Sequence, residues 1–576
     1  MSNTESNTTT VEWKEIPWQK AERRVFKLQK RIYQASQRGD VRAVHRLQRT
    51  LMKSWSAKVI AVRRVTQDNQ GKRTAGIDGV KSLTPKQRLE LVDQLRLSRK
   101  AKPVRRVFID KPGKTEKRPL GIPTMNDRAT QALVKAALEP EWEAKFELNS
   151  FGFRPGRSCH DAVEQIFQSI KQKAKYVLDA DIAQCFDQIN HDSLLRKLNT
   201  FPTIRQQIKA WLKAGVIDWS GYAKRDKSRT VNPTLKGTPQ GGVISPLLAN
   251  IALHGMEIKI LEEFPKRNAP SIIRYADDFV VMHENLTVVQ KCQQVVTEWL
   301  SDMGLELKPS KTRISHTLKE YEGKVGFDFL GFNIRQHPVG KYKTGKLLGK
   351  PLGFKTIITP SKEKLKAHTA DIKTIIRQYK STSQVELIVR INPIIRGWSN
   401  YYSTVVSKAV FSKADCITYH QLRAWADHRH PYKTKTWVSK RYWHKIETRN
   451  WVFATRNDEN GVKLLTHADT PIKRHVLIQR NGSPFDGDWV YWSKRRGEYP
   501  GTPRAISALI KSQNGKCSHC GLYFTPDSLI ELHHKDRNRK NNKKENLTIV
   551  HRHCHDKIHA TKVKVLNEQW LDEHSF

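Results

Sequence analysis

Apolar residues recur at helical spacing from Trp13 to about Gln70, as Val25, Leu28 and Ile32 and then Val44, Leu47 and Leu51. Many basic residues lie between them, so the pattern predicts an amphipathic pair of helices. Residues 1–10 are polar and expected to be disordered, and the glycines of Gly71–Gly79 mark turns. Val104–Pro123 reads as two strands joined by a basic turn containing Gly and Pro, after which Asn126 can cap a helix ending near Pro140. Ser158, with Asp161 at the capping-box position, starts a further helix. Tyr176–Asp181 reads as a strand, and Ser271–Met282 as a hairpin of β-branched runs around Tyr275-Ala276-Asp277-Asp278. Past a Gly/Lys-rich connector at Gly340–Gly353, helical spacing returns with Leu365, His368, Ile372, Ile375 and Ile376, then Leu387, Ile391, Ile394 and Ile395.

Composition bounds what such a chain does. Its 576 residues suffice for several domains. A formal charge of +47 is the electrostatic footprint of a polyanionic partner. No apolar run approaches the roughly 18–20 residues that span a bilayer, and the N-terminus has no signal-peptide core. Seven cysteines do not make a disulfide framework, so an intracellular, reduced setting is expected.

The chemistry concentrates in a few strings. Asp277 and Asp278 at a hairpin tip, with an upstream strand carrying Asp179 and Asp181, offer hard oxygen ligands for divalent metal. Asp179 and Asp181 share one face of their strand, so spacing alone does not choose between them. Arg154 and Arg157 stand in a Gly/Pro loop before a helix N-terminus, which suits nucleic-acid backbone contact over a purely structural loop. In Gly237–Asn250, Gly241 and Gly242 allow close backbone approach, and Ser245 and Pro246 suit the start of a helix. Aromatic and basic residues interleave through Lys433–Trp443, and stacking on unpaired bases plus phosphate contact accounts for both, at Arg441, Tyr442 and Trp443. Cys517-x-x-Cys520 and His551-x-x-Cys554 form two knuckles with structural-zinc spacing. His533, His534 and Asn546 lie between them, and His555 and His559 follow one helical turn apart.

These strings resemble the reverse transcriptases encoded by mobile group II introns, over nearly the whole chain. The resemblance rests on Tyr275-Ala-Asp-Asp278, Arg118-Pro-Leu-Gly-Ile-Pro123, Ser150–Ser158, Gly237-Thr-Pro-Gln-Gly, Gly304–Thr312, Phe327–Phe332, Ile395–Tyr402 and Leu422–Pro431. It implies a multidomain α+β protein: fingers and palm of a right-hand polymerase, a helical thumb or maturase domain, and a small ββα-metal HNH nuclease. The implied division is an N-terminal helical RNA-binding extension (1–75), fingers and palm (76–355), thumb/maturase (356–455), a DNA-binding region or linker (456–502) and the nuclease (503–576).

Asp181 is preferred over Asp179 because Phe186, implied to exclude a ribose 2′-OH, lies five residues on. Asp181, Asp277 and Asp278 would hold two Mg²⁺, Gln240 would lie against the incoming nucleotide, and Arg118 and Lys111 would contact its phosphates. Asp187 is expected to be structural, and Lys308 and Lys311 to touch nucleic acid. In the nuclease, Cys517, Cys520, His551 and Cys554 would hold zinc, with His553 a competing ligand. His533, His555 and His559 would hold a divalent catalytic metal, His534 would be the general base, and Asn546 would brace the loop. The implied partners are intron RNA, a double-stranded DNA target and dNTPs, with no membrane, in the cytoplasm as a ribonucleoprotein. A splicing-only maturase with a dead polymerase is the first alternative, against which Asp181, Asp277 and Asp278 are all present. The second is a homing nuclease whose polymerase region only binds nucleic acid.

Overall fold

A computed structural model describes residues 12–110, 117–218, 231–340, 342–455, 461–479 and 481–559. The N-terminal segment forms three helices, Trp18–Gln37, Val41–Lys53 and Trp55–Arg63, where periodicity predicted two. The extra break falls at Ser54, whose extended backbone ends one helix and begins the next. Their buried faces, with Val25, Ile32, Val44, Leu47, Leu51 and Val59, pack on the long helix Met125–Glu143. Leu91, Val92 and Leu95 join the same core, so this unit extends past residue 75.

The long helix starts at Thr124, not at Asn126: the Thr124 hydroxyl accepts the Asp127 N–H at 3.2 Å. It also runs through Pro140 rather than ending there. Proline has no N–H to give the carbonyl four residues back, and that carbonyl, on Ala136, accepts the side-chain amide of Gln29 at 2.9 Å. Gln48 and Ser36 likewise donate to the carbonyls of Ala137 and Glu141, at 3.3 and 2.9 Å. The N-terminal helices thus satisfy the carbonyl that the proline leaves open and add two further bonds along the same helix.

In the part expected to be the fingers, Val104–Asp110 pairs antiparallel with Lys117–Ile122 and parallel with Val216–Asp218. The palm is a four-stranded antiparallel sheet in the order Ser271–Tyr275, Asp278–His283, Tyr176–Asp181, Arg313–His316. Leu178, Phe279 and Val281 face one core, Val177, Ile273 and Val280 another, so the sheet is buried on both sides and its strands read as continuous apolar runs. Phe327–Phe329, Phe332–Pro338 and Phe354–Pro360 form a further antiparallel sheet that leads into the helices that follow. The region expected to be the thumb holds the helices Lys362–Gln378, Gln384–Tyr402, Lys408–Arg429 and Lys435–Tyr442. The C-terminal module pairs Ile530–His534 with Leu547–His551 and adds the helix Arg552–His559, a ββα unit. No described helix is long and apolar enough to cross a membrane.

Three residues expected to touch RNA are interior. Arg154 is bidentate to Glu143, both bonds 2.9 Å, and donates to the Glu147 and Ser150 carbonyls; the two side chains are 2% and 1% exposed. Tyr442 and Trp443 pack on Phe453, and Tyr442 also on Trp425, inside the thumb core. Only Arg441 of that trio is exposed. A cation just before two buried aromatics needs only to point outward from a helix end.

The stretch after the thumb is more than a linker. Asp161 accepts the Ser158 N–H and hydroxyl at 2.9 and 2.8 Å as predicted for the cap, and also His475 Nε2, the Ile478 N–H and Arg495. Burial alone would raise this carboxyl, but the bonds and charges of His475 and Arg495 hold it down at about 2. A second tether joins the thumb to the same stretch: Asp415 accepts His467 Nδ1–H at 2.6 Å, which leaves His467 Nε2 to accept His368 Nε2–H at 2.7 Å.

Two predictions follow from these buried polar groups. Arg154→Ala, which strands Glu143 in the interior, should cost about 3–5 kcal/mol, read as a lower denaturant midpoint for the palm. Burial holds the His368 imidazole near 3, below its ordinary 6.5, so the unfolded chain takes up a proton that the folded one refuses. Thumb stability should therefore be full above about pH 6.5 and fall as pH drops toward about 3, and this slope should flatten in His368→Gln.

Candidate polymerase and nuclease sites

The hairpin turn is Ala276-Asp277, with Tyr275 paired to Asp278 across it and Ala276 in the left-handed region at φ 58°. Asp278 opens the strand whose register sets it opposite Asp181, the last residue of the neighbouring strand. The three carboxylates thus meet at one end of the sheet. Asp179 lies inside the ladder, opposite Val280 and Arg313.

Buried Arg274, absent from the expected site residues, braces the turn by donating to the Ala276 carbonyl and to Asn250 Oδ1, each at 3.2 Å. Asn250 in turn donates to the Gly152 carbonyl at 2.8 Å. A Cβ on Gly152 would lie 2.3 Å from the Ala276 nitrogen, so only glycine lets this loop lie against the hairpin. Arg274 and Asn250 both stand inside strings singled out for other residues; their role needed the fold to appear.

Burial raises the carboxyls of Asp277, Asp278 and Asp179, and for Asp278 the charges of Asp277 and Asp181 add to it, taking it to about 7. The ammonium of Lys311 donates to Asp181, so this lysine, expected on nucleic acid, is a counter-ion within the site. Lys308 donates its backbone N–H to the Asp181 carbonyl at 2.8 Å. Acceptor-only groups that repel one another in a half-dry place fit divalent cations, which would lower their pKa values.

Around them, Gln240 donates to Asp187 at 3.1 Å, and its carbonyl accepts the Gly121 N–H at 2.6 Å. Gly241, at φ +113°, lets that loop touch the strand bearing Arg118, since a Cβ would lie 2.9 Å from the Gly121 oxygen. Asp187 therefore orients Gln240. The exposed Arg118 lowers the Asp277 carboxyl through its charge. Phe186 stands edge-on to Phe153 at 5.9 Å. Lys111 lies outside the described residues.

The C-terminal module brings together two ligand sets. Donor atoms of Cys517, Cys520, His551 and Cys554 all lie within 4.8 Å of one another, as do those of His533, His555 and His559. Among the described residues no third group does so, and the palm carboxylates are spread more widely. The Cys517 thiol is drawn down by hydrogen bonds to Cys520 and Cys554. Burial would lower His551, yet its bonds to Cys517 and Cys520 hold it up at about 9. This set fits tetrahedral zinc. His553 is not part of it: its ring stacks on His551 and its Nδ1 faces Glu22 at 3.4 Å.

In the second set His533 is buried, its Nδ1 has no hydrogen-bond partner among the described residues, and burial and neighbouring imidazoles lower its pKa. An orphaned imidazole nitrogen facing two others fits a divalent metal. His534, the next residue along the strand, has its Nε2 3.2 Å from Asn542 Oδ1. Asn546 donates to Asp536 and to the Asn541 carbonyl at 2.9 and 2.8 Å and accepts the Asp536 N–H at 3.0 Å, tying the loop between the strands. Arg157 is half-buried, donating to the Leu148 carbonyl at 3.1 Å.

A sheet ending in an aspartate beside a hairpin tipped with two more, roofed by a Gln-Gly-Gly loop, defines a polymerase palm of the reverse-transcriptase class. Residues 13–95 match the N-terminal domain of reverse transcriptase, 109–334 the reverse transcriptase (RNA-dependent DNA polymerase) domain, and 365–443 the group II intron maturase-specific domain. The chain is 29% identical over 379 residues to the group II intron-encoded protein LtrA of Lactococcus lactis, an alignment covering 52% of this chain and 60% of that protein. It is 30% identical over 317 residues to protein YkfC of Escherichia coli K12 (47% of this chain, 78% of that one) and 25% over 399 to maturase-like protein 1 of Euglena gracilis (67% and 76%). The chain belongs to the group II intron-encoded reverse transcriptase–maturase family.

Metal analysis checks the knuckle. The purified protein should carry zinc, and Cys517→Ser or Cys554→Ser should lower its zinc content. Either change should expose the C-terminal module to protease while the palm keeps its melting transition, because metal binding there is coupled to folding.

Proposed function

We propose that this chain copies RNA into DNA, assists splicing of its intron RNA, and cleaves DNA through its C-terminal module, so that a new 3′-OH primes copying of the intron. The observation that carries the polymerase reading is the register that sets Asp181 opposite Asp278 with Asp277 at the turn. Magnesium, when bound, would neutralise the triphosphate and activate the primer hydroxyl. Asp181, Asp277 and Asp278 would hold it, and Lys311 would leave Asp181 for a phosphate as the charge of the site is neutralised. Gln240, oriented by Asp187, would lie along the nucleotide, Arg118 would take its phosphates, and Phe186 would crowd the ribose 2′ position.

The nuclease reading rests on the second histidine set in a ββα unit. His533, His555 and His559 would hold a divalent metal that stabilises the leaving oxygen. His534, oriented by Asn542, would take a proton from water at its free ring nitrogen. The maturase reading rests on the 365–443 match and on the exposed cations of the thumb, Arg441 among them. Intron RNA, a double-stranded DNA target and dNTPs are the partners that these readings require.

Primer extension on an RNA template with Mg²⁺ should be abolished by Asp277→Asn or Asp278→Asn; unchanged extension would remove the carboxylate assignment. Splicing should survive both changes, since the chemistry of splicing belongs to the RNA. His534→Ala should stop cleavage of the DNA target while zinc content and primer extension stay at parental levels.

A further inference from the structure

The seam between palm and C-terminal segment is crowded with arginines, and most of them have carboxylate partners. Arg154 has Glu143, Arg495 has Asp161, and Arg64 pairs with Asp527 at 3.1 Å. Arg157 and Arg496 have no carboxylate partner among the described residues, although both are half-buried. Burial pulls the Arg157 guanidinium down to about 10 and lowers that of Arg496. The Nε atoms of Arg157, Arg495 and Arg496 are all buried with no hydrogen-bond partner among the described residues.

These three arginines, with Tyr499 and Asp527, line a cavity of about 320 Å³. Its palm wall is the loop at Gly156, where a Cβ would lie 2.5 Å from the Trp492 ring, so loop and helix Trp489–Glu498 are in direct contact. Half-buried guanidiniums gathered around one cavity, two of them with no paired carboxylate, carry a desolvation cost that an anion in the cavity would offset. Guanidinium forks match the oxygens of a phosphate best.

We propose that this cavity is a phosphate-binding site, taking one backbone phosphate of a nucleic-acid strand between Arg157 and Arg496. A chain of formal charge +47 favours the backbone over free phosphate, which shares the chemistry. Because the walls come from the palm loop, the helix Trp489–Glu498 and the Asp527 loop of the C-terminal module, a bound strand would join all three. The site goes beyond the polymerase and nuclease readings, and its inorganic-phosphate test stands whether or not they hold.

The test uses the full chain in phosphate-free buffer. Inorganic phosphate, against sodium chloride of equal ionic strength, should raise the melting temperature of the parent saturably, and Arg157→Gln/Arg496→Gln should lose that rise. With a mixed-sequence RNA strand and a DNA duplex as probes, affinity is measured across a salt series. The double variant should show a log–log salt slope smaller by about 0.7 on the single strand or about 0.9 on the duplex, one phosphate contact. Loss of the phosphate rise with an unchanged slope would keep the phosphate site but overturn the backbone as its occupant. No phosphate effect on the parent, with equal slopes, would overturn the site altogether. If the double variant melts early in chloride alone, Arg157→Lys/Arg496→Lys keeps the charges without the forks. Its phosphate rise should then shrink, and an undiminished rise would overturn the assignment.

Discussion

Arg274 is 4% exposed and sits where three separated segments of the palm converge. Its guanidinium donates to the Ala276 carbonyl in the hairpin turn and to Asn250, and lies 3.9 Å from Glu147. Asn250 carries the connection on to Gly152. Several carboxylates held close together at a sheet end repel one another, and a two-residue turn by itself would relieve that by twisting away. A buried cation anchored to the loop at Gly152 and to the helix after the Gln-Gly-Gly loop prevents it. The left-handed Ala276 persists because its surroundings over-determine it.

The same logic extends outward, since elements at the two ends of the chain complete the palm. The N-terminal helices supply the donor that Pro140 withholds, and the stretch after the thumb returns to Asp161 with His475 and Arg495. The ends also meet each other. Gln19 donates to the Cys520 carbonyl at 2.6 Å, Glu22 faces His553, and Arg64 pairs with Asp527. The Cys/His knuckle is therefore seated on the first helices, and the ββα module is held against the palm rather than trailing from it. Exposed pairs such as Arg64–Asp527 contribute little each; the placement rests on buried groups such as Asp161 and Trp492.

The positive charge is not spread as a uniform coat. Part is spent inside, where Arg154, Arg274 and Arg495 neutralise buried carboxylates. What remains outside, Arg441 and Arg118 among it, is available to a polyanion. Counting arginines in a loop therefore overstates its nucleic-acid surface unless the acids behind it are known.

Features set by near neighbours were legible in the residues alone. The hairpin of Ser271–Met282, the Ser158–Asp161 capping box, the paired fingers strands and the Cys517/Cys520 and His551/Cys554 spacing are all decided within a few bonds or one strand pairing. Local pattern also showed that Asp277 and Asp278 lie at a tip. The features it missed depend on partners distant in sequence. Arg154 is structural because Glu143 lies behind it, and Tyr442 and Trp443 are core because Phe453 returns across them. The long helix crosses Pro140 because Gln29, more than a hundred residues earlier, accommodates the open carbonyl. Whether an arginine or an aromatic faces RNA or the interior is settled by what packs against it, and only the tertiary structure supplies that partner.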